Sequence, residues 1–105
     1  MDPKQLQCLH RHWTHSHEED RDGLSIYRPP TFKFRAARGR TEIEFHPDGM
    51  LVHRDAGPTD AGRTLTGSWK HLGGNAVQMH VETFGKPRRM TVVECNDQVL
   101  KLRWD

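Results

Sequence analysis

The pattern that most limits this chain is an alternation of apolar and polar residues at period two, interrupted every few residues by Gly, Pro, Asn and Asp. Period two places successive side chains on opposite faces of a strand, and the interruptions are turn residues. Ile43 and Phe45 alternate with Glu42 and Glu44 over Thr41–His46. Pro47-Asp48-Gly49 then supplies a preset φ, a side chain that bonds its own backbone, and a residue free to take positive φ. Met50–Arg54 returns, making a hairpin. The same alternation recurs over Arg63–Lys70, Ala76–Glu82, Arg88–Glu94 and Gln98–Trp104, with turns at Gly73-Gly74-Asn75, Gly85-Lys86-Pro87 and Asn96-Asp97. Leu65, Gly67 and Trp69 share one face, as do Val77, Met79 and Val81, and Leu100, Leu102 and Trp104. Only residues 3–10 carry a helical signal: Pro3 suits a first helical position, and Leu6 and Leu9 lie at i, i+3.

Seven or eight short antiparallel strands with hairpin connections predict an all-β protein, closed as an up-and-down barrel. Closure removes the exposed strand edges that invite aggregation. The 105 residues make one domain, 1–105. No run reaches the ~20 apolar residues of a membrane helix, and none reads as a secretory leader. The expectation is therefore a cytoplasmic protein without a membrane partner, with Cys8 and Cys95 as free thiols. Sixteen Lys and Arg against fourteen Asp and Glu leave a net charge of +2, too weak an excess to point to nucleic acid.

Eight residues are His, and four of them fall in His10–His17. Read as a strand, His12–Glu19 puts Trp13, His15, His17 and Glu19 on one face. His15 and His17 then lie about 7 Å apart at Cα, and with Glu19 they form a two-His, one-carboxylate set suited to a divalent metal such as Zn²⁺ or Fe²⁺. The same three side chains inside a barrel suit acid–base chemistry near neutral pH or a polar ligand without metal. A hydrated edge strand is the third reading of the segment. Downstream, Arg28, Lys33, Arg35, Arg38 and Arg40 are interleaved with Tyr27, Phe32 and Phe34. Such a segment can cover a barrel mouth and hold an oxyanion, stack on single-stranded nucleic acid, or pair with the acidic run at residues 18–22.

A short N-terminal helix, a first strand carrying Trp13, a run of hairpins, and Gly67-Ser68-Trp69 together resemble the small bacterial lipocalin-like (calycin) barrels. Arg11-His12-Trp13 stands where the lipocalin signature has Gly-x-Trp. The resemblance implies binding of a small molecule inside the barrel, and it carries no catalytic residue to this chain. The combined expectation is a binding protein for a small polar or anionic molecule. Trp13 would form the floor, His15 and His17 the wall, Arg38 and Arg40 the mouth, with Tyr27, Arg28 and Trp69 contributing. Two alternatives stay open: a small enzyme using His15, His17 and Glu19, and a pocketless interaction module or homodimer.

Overall fold

The computed structural model describes residues 3–36, 39–57 and 62–105. Helix α1 (Pro3–Leu9) precedes β1 (His12–His15), a 3-10 turn at His17–Glu19, and β2 (Leu24–Arg28). Then come β3 (Glu42–Phe45), β4 (Met50–Asp55), β5 (Arg63–Gly73) and β6 (Ala76–His80). A second 3-10 turn at Glu82–Phe84, β7 (Arg88–Cys95) and β8 (Leu100–Trp104) complete the chain. All strand pairs are antiparallel, and the sheet closes in the order β1-β2-β8-β7-β6-β5-β4-β3. The closed all-β barrel with a short N-terminal helix is thus as the alternation predicts.

Strands β3 to β8 form an unbroken meander. The first hairpin departs from a simple up-and-down order. Thr14 of β1 has Arg28 of β2 on one side and Glu42 of β3 on the other. The connection over 29–41 therefore crosses β1, where the sequence suggested only hairpins. The crossing explains why Thr14 is only 7% exposed although it alternates with the inward Trp13. Phe32 and Phe34 hold this connection through the guanidinium groups of Arg28 and Arg40, 4.9 and 4.8 Å from their ring centres.

The inward faces are those the alternation selects. Trp13, Ile43, Phe45, Leu51, Val77, Met90, Leu100 and Leu102 are all buried and belong to one core. The 46–50 turn forms as read: Asp48 Oδ1 accepts the Met50 amide at 2.9 Å, and Gly49 takes φ 91°. Gly67 is required for a different reason. A Cβ there would run into the backbone carbonyl oxygen of His80, so β5 and β6 approach more closely than any other residue permits.

Helix α1 closes one end of the barrel. Leu9 is fully buried, Leu6 packs against the core, and the His10 ring lies 5.6 Å from that of Trp69. Trp69 donates its indole N–H to the His46 carbonyl at 2.8 Å and meets Phe45 edge to face. Cys8 at the end of α1 is bonded to Cys95 at the end of β7, with a Cα–Cα distance of 6.1 Å. The free thiols expected from the sequence are corrected here. A separation of 87 positions along the chain hid a contact that only closure of the barrel creates.

Candidate functional site

With α1 plugging one end, the other end of the barrel is open. The chain builds that rim from the ends of β1, β4, β6 and β8 and the starts of β2, β3, β5 and β7. A cavity of about 240 Å³ lies inside it. His15, Tyr27, Ile43, His53, Met79 and Trp104 contribute walls, and Phe84 and Arg88 border the entrance. The wall is largely aromatic. The His15 ring stacks on Tyr27 at 4.9 Å, Phe84 meets His53 edge to face at 4.9 Å, and the Arg88 guanidinium lies 4.4 Å from the Trp104 ring centre.

His15 is placed by Asp20. One Asp20 oxygen bonds His15 Nε2 at 2.9 Å, and the other accepts the Ile26 amide at 2.8 Å. These bonds, with Glu19 N–H to the Ser16 carbonyl and Asp20 N–H to the His17 carbonyl, turn the chain directly after β1. The strand expected over His12–Glu19 therefore ends at His15. His17 leaves the wall and is more than half exposed, with its ring 6.1 Å from that of His15. Glu19 turns to Arg28, which grips it through two bonds of 2.8 and 2.7 Å. Among the described residues no group of three or more His, Cys, Asp or Glu is placed to hold a metal ion.

The other expected site residues disperse. Trp13 is fully buried below the cavity wall in the packed core, and its indole N–H has no partner. Trp69 belongs to the plugged end. Arg40 is held away from the mouth by Glu18 and by the carbonyls of His15 and Arg35. Arg28 bonds Glu19 and the Gln98 carbonyl and faces grooves outside the barrel. Arg38, and the Pro58–Asp60 part of the loop before β5, lie outside the described residues. His15 and Tyr27 are the two expected residues that line the cavity.

His53 is the principal residue the sequence reading passes over. It alternates with the inward Leu51 on β4, so its placement was available from the same period-two argument. Trp13, Ile43 and His53 form one row across β1, β3 and β4, in register. His53 is only 9% exposed; its Nε2 lies 2.9 Å from Asp55 Oδ2, and its Nδ1 has no hydrogen-bond partner. Asp55 in turn accepts from Arg63 Nε at 2.7 Å and from the Gly57 amide at 2.8 Å. A larger depression beside the Cys8–Cys95 bond opens to solvent, and there Arg11 is already paired with Asp97.

Three carboxyls near this end are held well below their ordinary values, each at about 2. Arg40 is the main cause for Glu18, Arg28 for Glu19 and Arg63 for Asp55. In the unfolded chain the same groups return toward 4.5 for Glu and 3.8 for Asp. A carboxyl depressed in the folded state stabilises it above the unfolded value, and this contribution is lost as pH falls toward the folded value. The thermal midpoint is therefore expected to hold above about pH 5 and to fall progressively from there toward pH 2. Thermal unfolding across that range checks it, and Arg28→Gln should flatten part of the slope.

Comparison with protein-family models, curated proteins and solved structures finds no match to the chain. The fold and site by themselves define a closed eight-stranded antiparallel barrel, plugged at one end and hollow at the other, compatible with a lipocalin-like architecture. Among the described residues no helix is long and apolar enough to cross a membrane.

Proposed function

We propose that this protein binds a small polar or anionic molecule in the open end of its barrel. The observation that carries the reading is the largely aromatic cavity at the open end with Arg88 at its entrance. Arg88 at the entrance supports an anionic ligand: among the described residues no carboxylate pairs with it, and its guanidinium lies over the Trp104 ring, 4.4 Å from the ring centre.

The alternatives have less support. Of His15, His17 and Glu19, only His15 reaches the cavity, so an acid–base enzyme retains one of its three groups. The exposed large apolar side chains Met50, Leu72, Phe84 and Val93 sit on four different elements, which does not favour one docking face for a homodimer. The cytoplasmic expectation came from the sequence having no run that reads as a secretory leader, and free thiols followed from it; the Cys8–Cys95 bond favours an oxidising compartment instead.

The test is a panel of small organic anions, both aliphatic and aromatic, titrated into isotope-labelled protein. Resonances of Tyr27, Phe84 and Trp104 are expected to shift together and to saturate. Shifts confined to the groove beside Cys8 and Cys95, or none across the panel, would overturn the reading.

A further inference from the structure

Tyr27 gives the cavity a second recognition group, and this step rests on the binding role just proposed. Tyr27 and Ser25 lie two apart on β2, opposite the inward Leu100 and Leu102 of β8, and both line the cavity. The Tyr27 side chain therefore points into the barrel, with its ring stacked on His15. Its hydroxyl bonds no described residue. The buried polar side-chain atoms left without a partner are Trp13 Nε1 and His53 Nδ1, and the Tyr27 oxygen is not among them. An inward oxygen that is neither bonded nor sealed in the core opens onto the cavity. Burial raises the pKa of the phenol, and the Asp20 carboxylate adds to the effect, so the hydroxyl keeps its proton. It is a neutral O–H donor facing open space.

The charges around this mouth fix how many a ligand can carry. Arg88 is the one Lys or Arg in the cavity lining, and its charge is felt at the Tyr27 hydroxyl. Behind the wall, Asp55 is balanced by Arg63, and Arg28 and Arg40 are taken by Glu19 and Glu18. Asp20 holds His15 and the Ile26 amide, and among the described residues no Lys or Arg pairs with it. Glu82 and Lys86, both exposed on the segment that carries Phe84, are opposite in sign. One negative charge on a ligand meets Arg88. A second meets no further cation, and Asp20 repels it. A volume of about 240 Å³ lies below the ~300–1,000 Å³ typical for drug-sized molecules, and it suits a single ring or short chain between Ile43, Met79 and Trp104.

We infer that the cavity selects a small organic molecule with a singly charged oxyanion, held by Arg88 at the entrance and by the Tyr27 O–H inside, over both neutral and doubly charged analogues. Arg88 supplies attraction and orientation through its planar fork. Tyr27 supplies a donor without adding charge, and the missing second cation supplies the rejection.

Calorimetry on the full, disulfide-bonded chain tests this with two pairs of probes. Benzoate is expected to bind about tenfold more tightly than its neutral isostere benzamide, the effect of a hydrogen bond to a charged group. Benzenesulfonate and phenylphosphonate have nearly the same shape, and at mildly alkaline pH the second carries two charges. The sulfonate is expected to bind about fivefold more tightly at low salt. Arg88→Gln should erase the preference for benzoate over benzamide. Tyr27→Phe keeps the ring on His15 and removes a hydroxyl that bonds nothing in the protein. It should weaken benzoate about fivefold while the thermal midpoint stays in place, a split that a merely structural role would not produce. Equal binding of benzoate and benzamide, including none of either, overturns the inference. So does a phosphonate that binds as tightly as the sulfonate, or an unchanged benzoate affinity in Tyr27→Phe. Each of these leaves the broader binding role standing if other anions of the panel still shift the cavity residues; a silent panel removes both.

Discussion

Reduction of the Cys8–Cys95 bond is expected to lower the unfolding free energy by about 4 kcal/mol. The two cysteines are 87 residues apart, so the bond restrains nearly the whole chain in its unfolded state. For loops of this length the chain-entropy argument gives ~4–5 kcal/mol, and removal of native disulfides from small domains costs about 2–5. A domain this size has about 5–15 kcal/mol in total, so the loss is a large share of it. The structural consequence should begin at α1. Seven residues are too few to hold a helix alone, and α1 persists because Leu6 and Leu9 are docked and Cys8 is bonded. Without the bond, the plug loosens and the environment of Trp69 changes first. Urea unfolding with and without reductant checks this, with thiol titration to confirm reduction and the Cys8→Ser/Cys95→Ser double variant as the permanent form. An unchanged midpoint in fully reduced protein would show that packing alone holds the plug.

Trp13→Ala is expected to cost about 3–5 kcal/mol, the range for deleting a large aromatic side chain from a core. Trp13 is fully buried, lies in the row with Ile43 and His53, and is the largest of the fully buried side chains. Its loss opens a void in the core beneath β1, a strand of only four residues. Trp13→Phe separates volume from polarity. The indole N–H has no partner, so removing it breaks no hydrogen bond, while the phenyl ring retains most of the packing. Phenylalanine should therefore lose less than half of what alanine loses in chemical denaturation. Equal losses would mean that the indole nitrogen is bonded in solution. These changes also bear on the cavity. Trp13 is not among the residues lining the cavity, so Trp13→Phe should leave ligand binding there unchanged.

The site was only partly legible in the sequence, and particular residues show why. His15 followed from alternation with Trp13, because two residues on a strand face the same way whatever else the chain does. His17 and Glu19 followed from the same rule and failed. Asp20 offers the backbone a competing set of bonds, to His15 and to Ile26, and the strand stops where those bonds form. Arg28 and Arg40 were read as ligand groups, but charge in a sequence does not reveal which carboxylate it will meet. Folding brings Glu19 and Glu18 to them. His53 was readable from Leu51 and lacked only a reason to be singled out. Its significance depends on Asp55, Arg63 and the lip of the cavity, which lie on different strands or loops.

By itself the alternation determined the element type, the hairpins from β3 to β8 and the inward faces. All of these rest on interactions between residues near in sequence or on the two-residue repeat of a strand. The tertiary structure alone decided three things: the passage of 29–41 over β1, the union of Cys8 with Cys95, and the convergence of His15, His53 and Trp104 on one cavity. Each depends on closure of the barrel, which brings together residues whose separation along the chain carries no signal of their meeting.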